Sequence, residues 1–154
     1  MPKIDIRSVP EKKGSGYPAP FHLKAADRVR QRLGDAGGLG DFGVNLLRLP
    51  PDAWSSQRHW HSAEDEFVWI LCGEVALVTD EGEQMLREGD CAAFPKKQAN
   101  GHHLINKSNA MALILEIGTR SPDDVCEYPD IDMRIDGRIG HYTHRDGTPY
   151  PPRT

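Results

Sequence analysis

The sequence has few cysteines and no long apolar run, and these two shortages each exclude a class of protein. Its three cysteines, Cys72, Cys91 and Cys126, are an odd number at wide spacing, which fits neither a disulfide framework nor a CxxC metal knuckle. No apolar stretch approaches the roughly 18 residues of a membrane-spanning helix, and the N-terminal segment lacks the apolar core of a signal peptide. We therefore expect a soluble, cytoplasmic protein.

A surplus of positive charge is also lacking. Lys and Arg number 19 against 23 Asp and Glu, a formal net charge of −4, and no run of one sign is long enough to form a charged tail. Binding to nucleic acid or to an anionic membrane depends on concentrated positive charge. We therefore expect neither of these partners, and a small-molecule ligand or substrate instead.

The composition divides the 154 residues, about the length of one domain, into three parts. Residues 1–41 are rich in turn-forming glycine and proline and contain one stretch that permits a helix, LKAADRVRQRL. Residues 42–118 consist of short β-rich runs separated by turn residues, and residues 119–154 are again rich in Pro, Asp and Gly. We predict a barrel at 42–118 flanked by irregular N-terminal and C-terminal arms.

Short runs in the central part have the length and the boundaries of strands. They are FGVNLLRL, QRHWH, EFVWIL, VALVT, QML, CAAF, HHLIN and MALILEIG. Strands of about five residues joined by tight turns favour an antiparallel all-β barrel or sandwich over βαβ units.

A pair of histidines stands two residues apart in the run QRHWH. Residues at this spacing on a strand point to the same face, so His59 and His61 deliver two imidazoles into one space. Glu66 begins the next apolar run, and a bend at SAED returns its carboxylate to the same cavity. Two nitrogens and one oxygen suit a divalent first-row metal and leave coordination positions for water, substrate or dioxygen.

The same residues carry a family resemblance. The pattern His59-x-His61-x4-Glu66-x6-Gly73 resembles the first motif of the cupin superfamily in spacing and in residue types. The phrases RHWHSAEDEFVWILCGE, NGHHLIN and LEIGTR are similar to small bacterial single-barrel cupins of the cupin 2 type, a group that suggests no substrate. The resemblance implies an all-β double-stranded β-helix, or jelly-roll barrel, with Fe, Mn, Ni or Zn inside.

A second stretch resembles the second cupin motif with one departure. Gly89-x5-Pro95 is followed by His102-x3-Asn106, where the Gly-Asp turn opens a strand and the proline closes it. The family pattern has a glycine two residues after the proline, whereas this chain has Lys97 there. A loop longer by two residues restores the histidine.

The departure leaves two adjacent histidines as candidates for one place. Neighbours on a strand face opposite ways, so only one of His102 and His103 can point inward. The three-residue spacing from His102 to Asn106 matches the family. The resemblance therefore implies that the metal ligands are His59, His61, Glu66 and His102. His103 is the alternative to His102.

Two further residues are candidates for catalysis. Glu116 lies in the apolar strand MALILEIG, where a carboxylate is costly unless it is paired, solvated or functional, so it is either a general base or a partner in a salt bridge. Arg48, in the first predicted strand, could hold a substrate carboxylate with its guanidinium fork.

The function implied by the resemblance stays broad. One hypothesis is a metal-dependent enzyme of dioxygenase, isomerase or lyase type that acts on a small organic molecule, and the alternative is a non-catalytic binding or sensor cupin. If the ligands face inward, a set of apolar side chains lies on the outer face and needs a cover, which predicts a homodimer. These are Trp60, Phe67, Trp69 and Leu71.

Overall fold

The computed structural model describes residues 2–154, which consist mainly of short strands. The strands are β1 Glu11–Lys13, β2 Val29–Arg32, β3 Phe42–Leu49, β4 Trp60–His61, β5 Glu66–Cys72, β6 Glu74–Thr79, β7 Gly82–Arg87, β8 Cys91–Phe94, β9 His103–Ile105, β10 Ala112–Thr119, β11 Val125–Tyr128, β12 Met133–Asp136 and β13 Tyr142–Thr143. One short helix, α1, covers Leu33–Ala36, and 3-10 turns cover Ile6–Ser8 and Leu23–Ala25. Among the helices of these residues, none has the length and hydrophobicity to span a bilayer.

Six strands form one antiparallel sheet in the order β1-β2-β3-β10-β5-β8. β10 lies between β3 and β5 and pairs along its whole length with β3. Alternate residues of these three strands point to one face, and Leu47, Ile70 and Ile114 on that face are fully buried. This sheet therefore forms one apolar wall of the barrel.

The second wall consists of two smaller sheets that adjoin. Their orders are β7-β6-β9 and β13-β12-β11-β4. Isolated antiparallel bridges, His59 with His102 and Trp54 with Ile105, connect the segment before β4 to the segment around β9. The histidines of the two predicted motifs thus lie on neighbouring chain segments.

The apolar core lies between the two walls, since side chains from both pack into one cluster. Its buried members are Leu47, Leu49, Ala53, Val68, Ile70, Val75, Leu77, Leu86, Leu104, Ala112 and Ile114. Two antiparallel walls around one core agree with the predicted jelly-roll barrel.

The predicted strands of the barrel correspond closely to the observed ones. FGVNLLRL is β3, CAAF is β8, and the runs EFVWIL, VALVT and MALILEIG lie within one or two residues of β5, β6 and β10. The run QRHWH differs, because only Trp60 and His61 join a continuous ladder, while His59 makes a single bridge.

The motif glycine, Gly73, lies at the tight turn between β5 and β6. Its φ is +83°, a left-handed conformation that other residues adopt at a cost, and a Cβ there would lie 2.9 Å from the carbonyl oxygen of Met111. Both the turn and the close approach of the backbone therefore require glycine at this position.

The segments outside the predicted barrel also contain short strands. β1 and β2 extend the six-stranded sheet beside β3. β11, β12 and β13 form a four-stranded sheet with β4, in which β11 pairs with β4. These segments pack against each other in a second cluster whose buried members are Tyr17, Ala25, Cys126, Tyr128 and Met133. The division into arms at 1–41 and 119–154 and a barrel at 42–118 stays a prediction.

The helix permitted by LKAADRVRQRL does not form as expected at Val29–Arg32. These residues form β2, because their backbone pairs with β1 on one side and β3 on the other. The structure shows only a 3-10 turn at Leu23–Ala25 and the short α1 beside this strand.

Candidate metal centre

Three histidines and one glutamate come together inside the barrel. His59 and His61 are two residues apart on the same extended segment and share a face, as their spacing predicts. His59 and His102 exchange backbone hydrogen bonds of 3.1 and 2.9 Å, which brings their side chains together across the bridge. Glu66 is the first residue of β5 and closes the group.

The three imidazoles converge on the carboxylate of Glu66. The Nε2 atoms of His59 and His102 lie 3.3 and 2.7 Å from its Oε2, and the Nε2 of His61 lies 3.3 Å from its Oε1. The His59 ring centroid lies 5.0 Å from that of His61 and 4.7 Å from that of His102. All four side chains are mostly buried.

The opposite ring nitrogens of two imidazoles have partners that orient them. The Nδ1 of His59 lies 2.9 Å from the carbonyl oxygen of Gln57, and the Nδ1 of His61 lies 2.6 Å from Oδ2 of Asp124. In the neutral form of each ring, an N–H donated from Nδ1 leaves the lone pair of Nε2 directed toward Glu66, which is the tautomer that binds metals. His102 is fixed differently, because its ring stacks on Phe94 with centroids 3.6 Å apart.

The donor set fits a divalent transition metal. Oε2 of Glu66 is buried and receives no hydrogen bond of normal geometry from residues 2–154, although the Nε2 of His102 is close to it. Candidate ligand atoms of His59, Glu66 and His102 lie within 4.8 Å of one another. Ring nitrogens and a carboxylate oxygen that meet without a shared hydrogen bond have the arrangement of ligands aimed at one cation.

The protonation of these groups reflects their burial and their neighbours. Burial lowers the pKa of His102 to about 4, despite its contact with Glu66. Burial raises the pKa of Glu66, but the electrostatic effect of His59 and the close contacts with His102 and His61 hold it well below its usual value. Burial also lowers the pKa of His61, yet its bonds to Asp124 and Glu66 raise it to about 10. Glu66 is therefore an anion and His102 a neutral imidazole, the forms that bind a cation, whereas His61 carries a proton that a bound cation would displace.

The second adjacent histidine lies apart from this group. The Nδ1 of His103 is 2.9 Å from the carbonyl oxygen of Ser56, and its ring packs edge-on against Trp54 with centroids 4.6 Å apart. The structure thus brings His102, and not His103, to Glu66.

The two candidates for catalysis have different surroundings. Glu116 lines the large cavity described below and forms two hydrogen bonds with Arg30, Nε to Oε1 at 2.8 Å and Nη2 to Oε2 at 3.1 Å. Arg48 lies on the face of β3 opposite to Leu47 and donates to Oε1 of Gln31 at 2.6 Å. Arg48 is not among the residues that line the cavity.

Two carboxylates near the candidate metal centre, Asp124 and Glu64, were not predicted as site residues from the sequence. Asp124 accepts a hydrogen bond from the backbone N–H of Ala63 at 2.8 Å in addition to its contact with His61. Glu64 lies beside them, with Oε2 3.8 Å from Nδ1 of His61. No local spacing links residue 124 to the histidine motif, whereas Glu64 stood within the predicted bend SAED.

A cavity of about 680 Å³ opens beside the four clustered side chains. A second cavity of about 360 Å³ adjoins the same group, since His61, Glu66, Phe94 and His102 line both. The large cavity has the size of a site for a small molecule.

Comparison with known proteins defines the class of this one. Residues 45–118 match the cupin domain family. The chain belongs to the cupin superfamily, and the predicted small jelly-roll cupin is confirmed. No curated protein sequence matches the chain.

Several solved structures are similar to the chain. A sugar phosphate isomerase of the cupin superfamily from Silicibacter pomeroyi is 45% identical, with a TM-score of 0.91 and 97% of both chains covered. A protein from Acidithiobacillus ferrooxidans, provisionally described as a sugar phosphate isomerase, is 32% identical, with a TM-score of 0.71, 77% of this chain and 75% of that chain covered. A predicted oxalate decarboxylase from Thermotoga maritima, 16% identical, has a TM-score of 0.60 over 77% of this chain and 99% of that chain, and shows the fold alone.

Proposed function

We propose that the chain is a metal-dependent isomerase of a small sugar phosphate, with Fe, Mn, Ni or Zn held by four side chains. The ligands in this proposal are His59, His61, Glu66 and His102. The observation that carries it is the convergence of three mostly buried imidazoles on one carboxylate at the wall of a large cavity. The 45% identity to a sugar phosphate isomerase over 97% of both chains supports isomerisation over dioxygenase or lyase chemistry.

The chain's own residues supply the proton transfer in this proposal. A divalent metal, when bound, would polarise a carbonyl or hydroxyl oxygen of the sugar. Glu64 lines the cavity, and its Oε1 accepts the backbone N–H of Ser121 at 2.9 Å, while Oε2 has no hydrogen bond among residues 2–154. We assign Glu64 to carry a proton from one carbon of the substrate to the adjacent carbon, while the proton of the hydroxyl passes to the former carbonyl oxygen. An aldose and a ketose are isomers, so no oxidant or reductant is needed.

The predicted catalytic candidates take other places in this scheme. Both carboxylate oxygens of Glu116 accept hydrogen bonds from Arg30. We therefore assign Glu116 to position Arg30 and not to transfer a proton. Arg48 lies on the face of β3 opposite to the buried Leu47, where it donates to Gln31, and we assign it no role in the reaction.

The test of this function uses the purified full chain, stripped with a chelator and reloaded separately with Fe²⁺, Mn²⁺, Ni²⁺ or Zn²⁺. Triose, pentose and hexose phosphates are incubated with it in D₂O and followed by NMR. We expect interconversion of one aldose and ketose pair, with deuterium entering at the carbon beside the carbonyl, only in the reloaded protein. Absence of both signals for every sugar phosphate and every metal would overturn the proposal, and dioxygen uptake would point to a dioxygenase.

A pair of matched variants tests the role of Glu64. Glu64→Gln should reduce turnover by about 100-fold or more, the usual contribution of a general base, and should retain the metal. Glu88→Gln makes the same chemical change at an exposed residue and should leave turnover unchanged. Equal turnover of the two variants would contradict the assignment.

A further inference from the structure

Three arginines face the large cavity from β2 and the residue before it. Arg28, Arg30 and Arg32 are each two residues apart, a spacing that places side chains on one face of a strand, and all three line the cavity. Gln31, between them, is buried on the opposite face. The strand thus presents alternate guanidinium groups to the space beside the candidate metal centre.

Two of these guanidinium groups are fixed in orientation and still have donors to spare. Arg28 donates from Nε to the carbonyl oxygen of Gly14 at 3.1 Å and from Nη1 to that of Ser55. Arg30 uses Nε and Nη2 in its pair with Glu116. Within residues 2–154, no acceptor is hydrogen-bonded to Nη2 of Arg28 or to Nη1 of Arg30.

The third arginine has its guanidinium free for a ligand. The nearest carboxylate to Arg32 is that of Asp35, at 3.9 Å, which is beyond hydrogen-bond distance. Asp35 is itself hydrogen-bonded to Arg120, another residue of the cavity rim. Four arginines therefore lie on this side of the cavity against two carboxylates, Glu116 and Asp35.

The positive charge on this side is not fully balanced by the protein. Burial, together with the charge of Arg30, lowers the pKa of Arg28, which means that the positive charge of Arg28 is disfavoured by its surroundings. Burial also lowers the pKa of Arg30, but the hydrogen-bonded carboxylate of Glu116 and, to a smaller extent, Glu66 outweigh this and raise it above its usual value. A further anion between the arginines would relieve the repulsion.

The two sides of the cavity differ in charge. The side of the candidate metal centre carries Glu64, Glu66 and Asp124, whereas the β2 side carries the arginines. β3 and β10 lie between β2 and β5, so the two sides are three strand spacings apart, roughly 14 Å along the sheet. The long arginine side chains extend from β2 into the same space that Glu66 faces.

We propose that Arg28, Arg30 and Arg32 form an anion subsite that binds the phosphate group of the substrate and holds the sugar end toward Glu66. The planar fork of a guanidinium matches the oxygens of a phosphate, and several such forks around one group select a dianion over a neutral hydroxyl. That the anion belongs to a sugar phosphate rests on the proposed function, whereas the anion site itself rests on the three arginines.

The binding test uses metal-free protein and involves no turnover. Inorganic phosphate and glycerol 3-phosphate are titrated into the stripped full chain by calorimetry, with unphosphorylated glycerol as the control ligand. We expect saturable one-to-one binding of both phosphates and none of glycerol. Lack of phosphate binding by the wild-type chain would overturn the subsite.

Variants with a matched control locate the binding. Arg32→Gln changes an exposed residue at the cavity rim without a hydrogen-bonded partner and should weaken phosphate binding about tenfold. The double variant Arg30→Gln/Glu116→Gln removes both members of an ion pair, keeps the net charge, and should weaken binding by more than tenfold. Arg87→Gln, on the exposed side of β7, should bind phosphate like the wild type. Equal affinity of Arg32→Gln and Arg87→Gln would overturn the assignment even if the double variant does not fold.

A separate variant distinguishes failure of the subsite from failure of the proposed function. His59→Ala/His61→Ala should lose metal and turnover but bind phosphate within about twofold of the wild type, because neither histidine lies on β2. If the wild type binds phosphate through the arginines but isomerises no sugar phosphate, the subsite stands and the function falls. If the wild type isomerises unphosphorylated sugars equally well and Arg32→Gln does not change phosphate affinity, the chain is a sugar isomerase without a phosphate subsite.

Discussion

The orientation of His61 depends on a carboxylate that lies 63 residues further along the chain. Oδ2 of Asp124 contacts Nδ1 of His61 at 2.6 Å, and its Oδ1 accepts the backbone N–H of Ala63. The carboxylate thus fixes both the ring and the backbone that follows it. Such partners of ligating histidines keep the other ring nitrogen available for a metal.

The first prediction concerns a substitution that removes the negative charge of Asp124. Asp124→Asn keeps the size of the side chain but replaces the carboxylate that orients His61, so affinity for Zn²⁺ should fall about 10-fold to 100-fold. Competition with a chelating dye measures the change. Asp123→Asn, an exposed neighbour, is the matched control and should bind Zn²⁺ normally. Unchanged affinity in Asp124→Asn would show that the contact with His61 is dispensable.

The second prediction separates the adjacent histidines. His102 contacts Glu66 at 2.7 Å, whereas His103 contacts the carbonyl oxygen of Ser56 and Trp54. His102→Ala should therefore lower metal content much more than His103→Ala, as measured by elemental analysis of the two purified variants. The reverse ranking would mean that the long loop before them shifts the register of β9.

The residues of the site differ in how far the sequence could predict them. The pattern of His59, His61 and Glu66 is local, because strand alternation and one bend suffice to bring the three together. Asp124 could not be predicted, since it comes close only when β11 pairs with β4. The choice of His102 followed from alternation and family spacing, and its contact with Glu66 agrees with that choice without testing metal binding.

At the scale of elements, strands with alternating or apolar patterns were predictable and β2 was not. The barrel strands contain β-branched and aromatic residues between turn signals, which is the pattern that periodicity detects. The residues VRQR carry two charges directed into a cavity, so they lack the apolar face by which a strand is normally recognised. A strand whose side chains line a polar cavity is therefore difficult to predict from the hydrophobic pattern of the sequence.

The third prediction concerns the turn between β5 and β6. Gly73→Ala should destabilise the fold by about 3 kcal/mol, because a positive φ and a contact of 2.9 Å with the backbone of Met111 add together. Gly82→Ala is the control: its φ is also positive, +111°, but no atom lies within 4 Å of the added Cβ, so the loss should be about 1 kcal/mol. Urea unfolding measures both, and equal losses would contradict the role of the close contact.

At the scale of the whole molecule, the outer face of β5 remains open to solvent. Trp69 and Leu71 are 46% and 39% exposed, whereas Trp60 and Phe67, from the same predicted apolar set, are partly buried and line the cavities. Trp69 and Leu71 lie two residues apart on one face of β5, which is the apolar surface that a second copy of the chain would cover. The homodimer predicted from the sequence stays a prediction.

The fourth prediction tests this dimer. Light scattering at micromolar concentration should give a mass near twice the 17.2 kDa of one chain. Trp69→Lys should shift the mass toward that of the monomer, because a charge at the centre of the contact is costly to bury. Ile139→Lys, at another exposed apolar residue, should leave the dimer intact. A wild-type mass of one chain throughout the accessible concentration range would refute the dimer.

The central claim is that His59, His61, Glu66 and His102 hold one metal ion. Elemental analysis of protein purified without added chelator tests it most directly, by comparing the wild type with His59→Ala/His61→Ala and with the control His141→Ala/His144→Ala. We expect about one Fe, Mn, Ni or Zn per chain in the wild type and in the control, and less than about a tenth of that in the first variant. Full metal content in His59→Ala/His61→Ala, with its fold intact by circular dichroism, would contradict the claim.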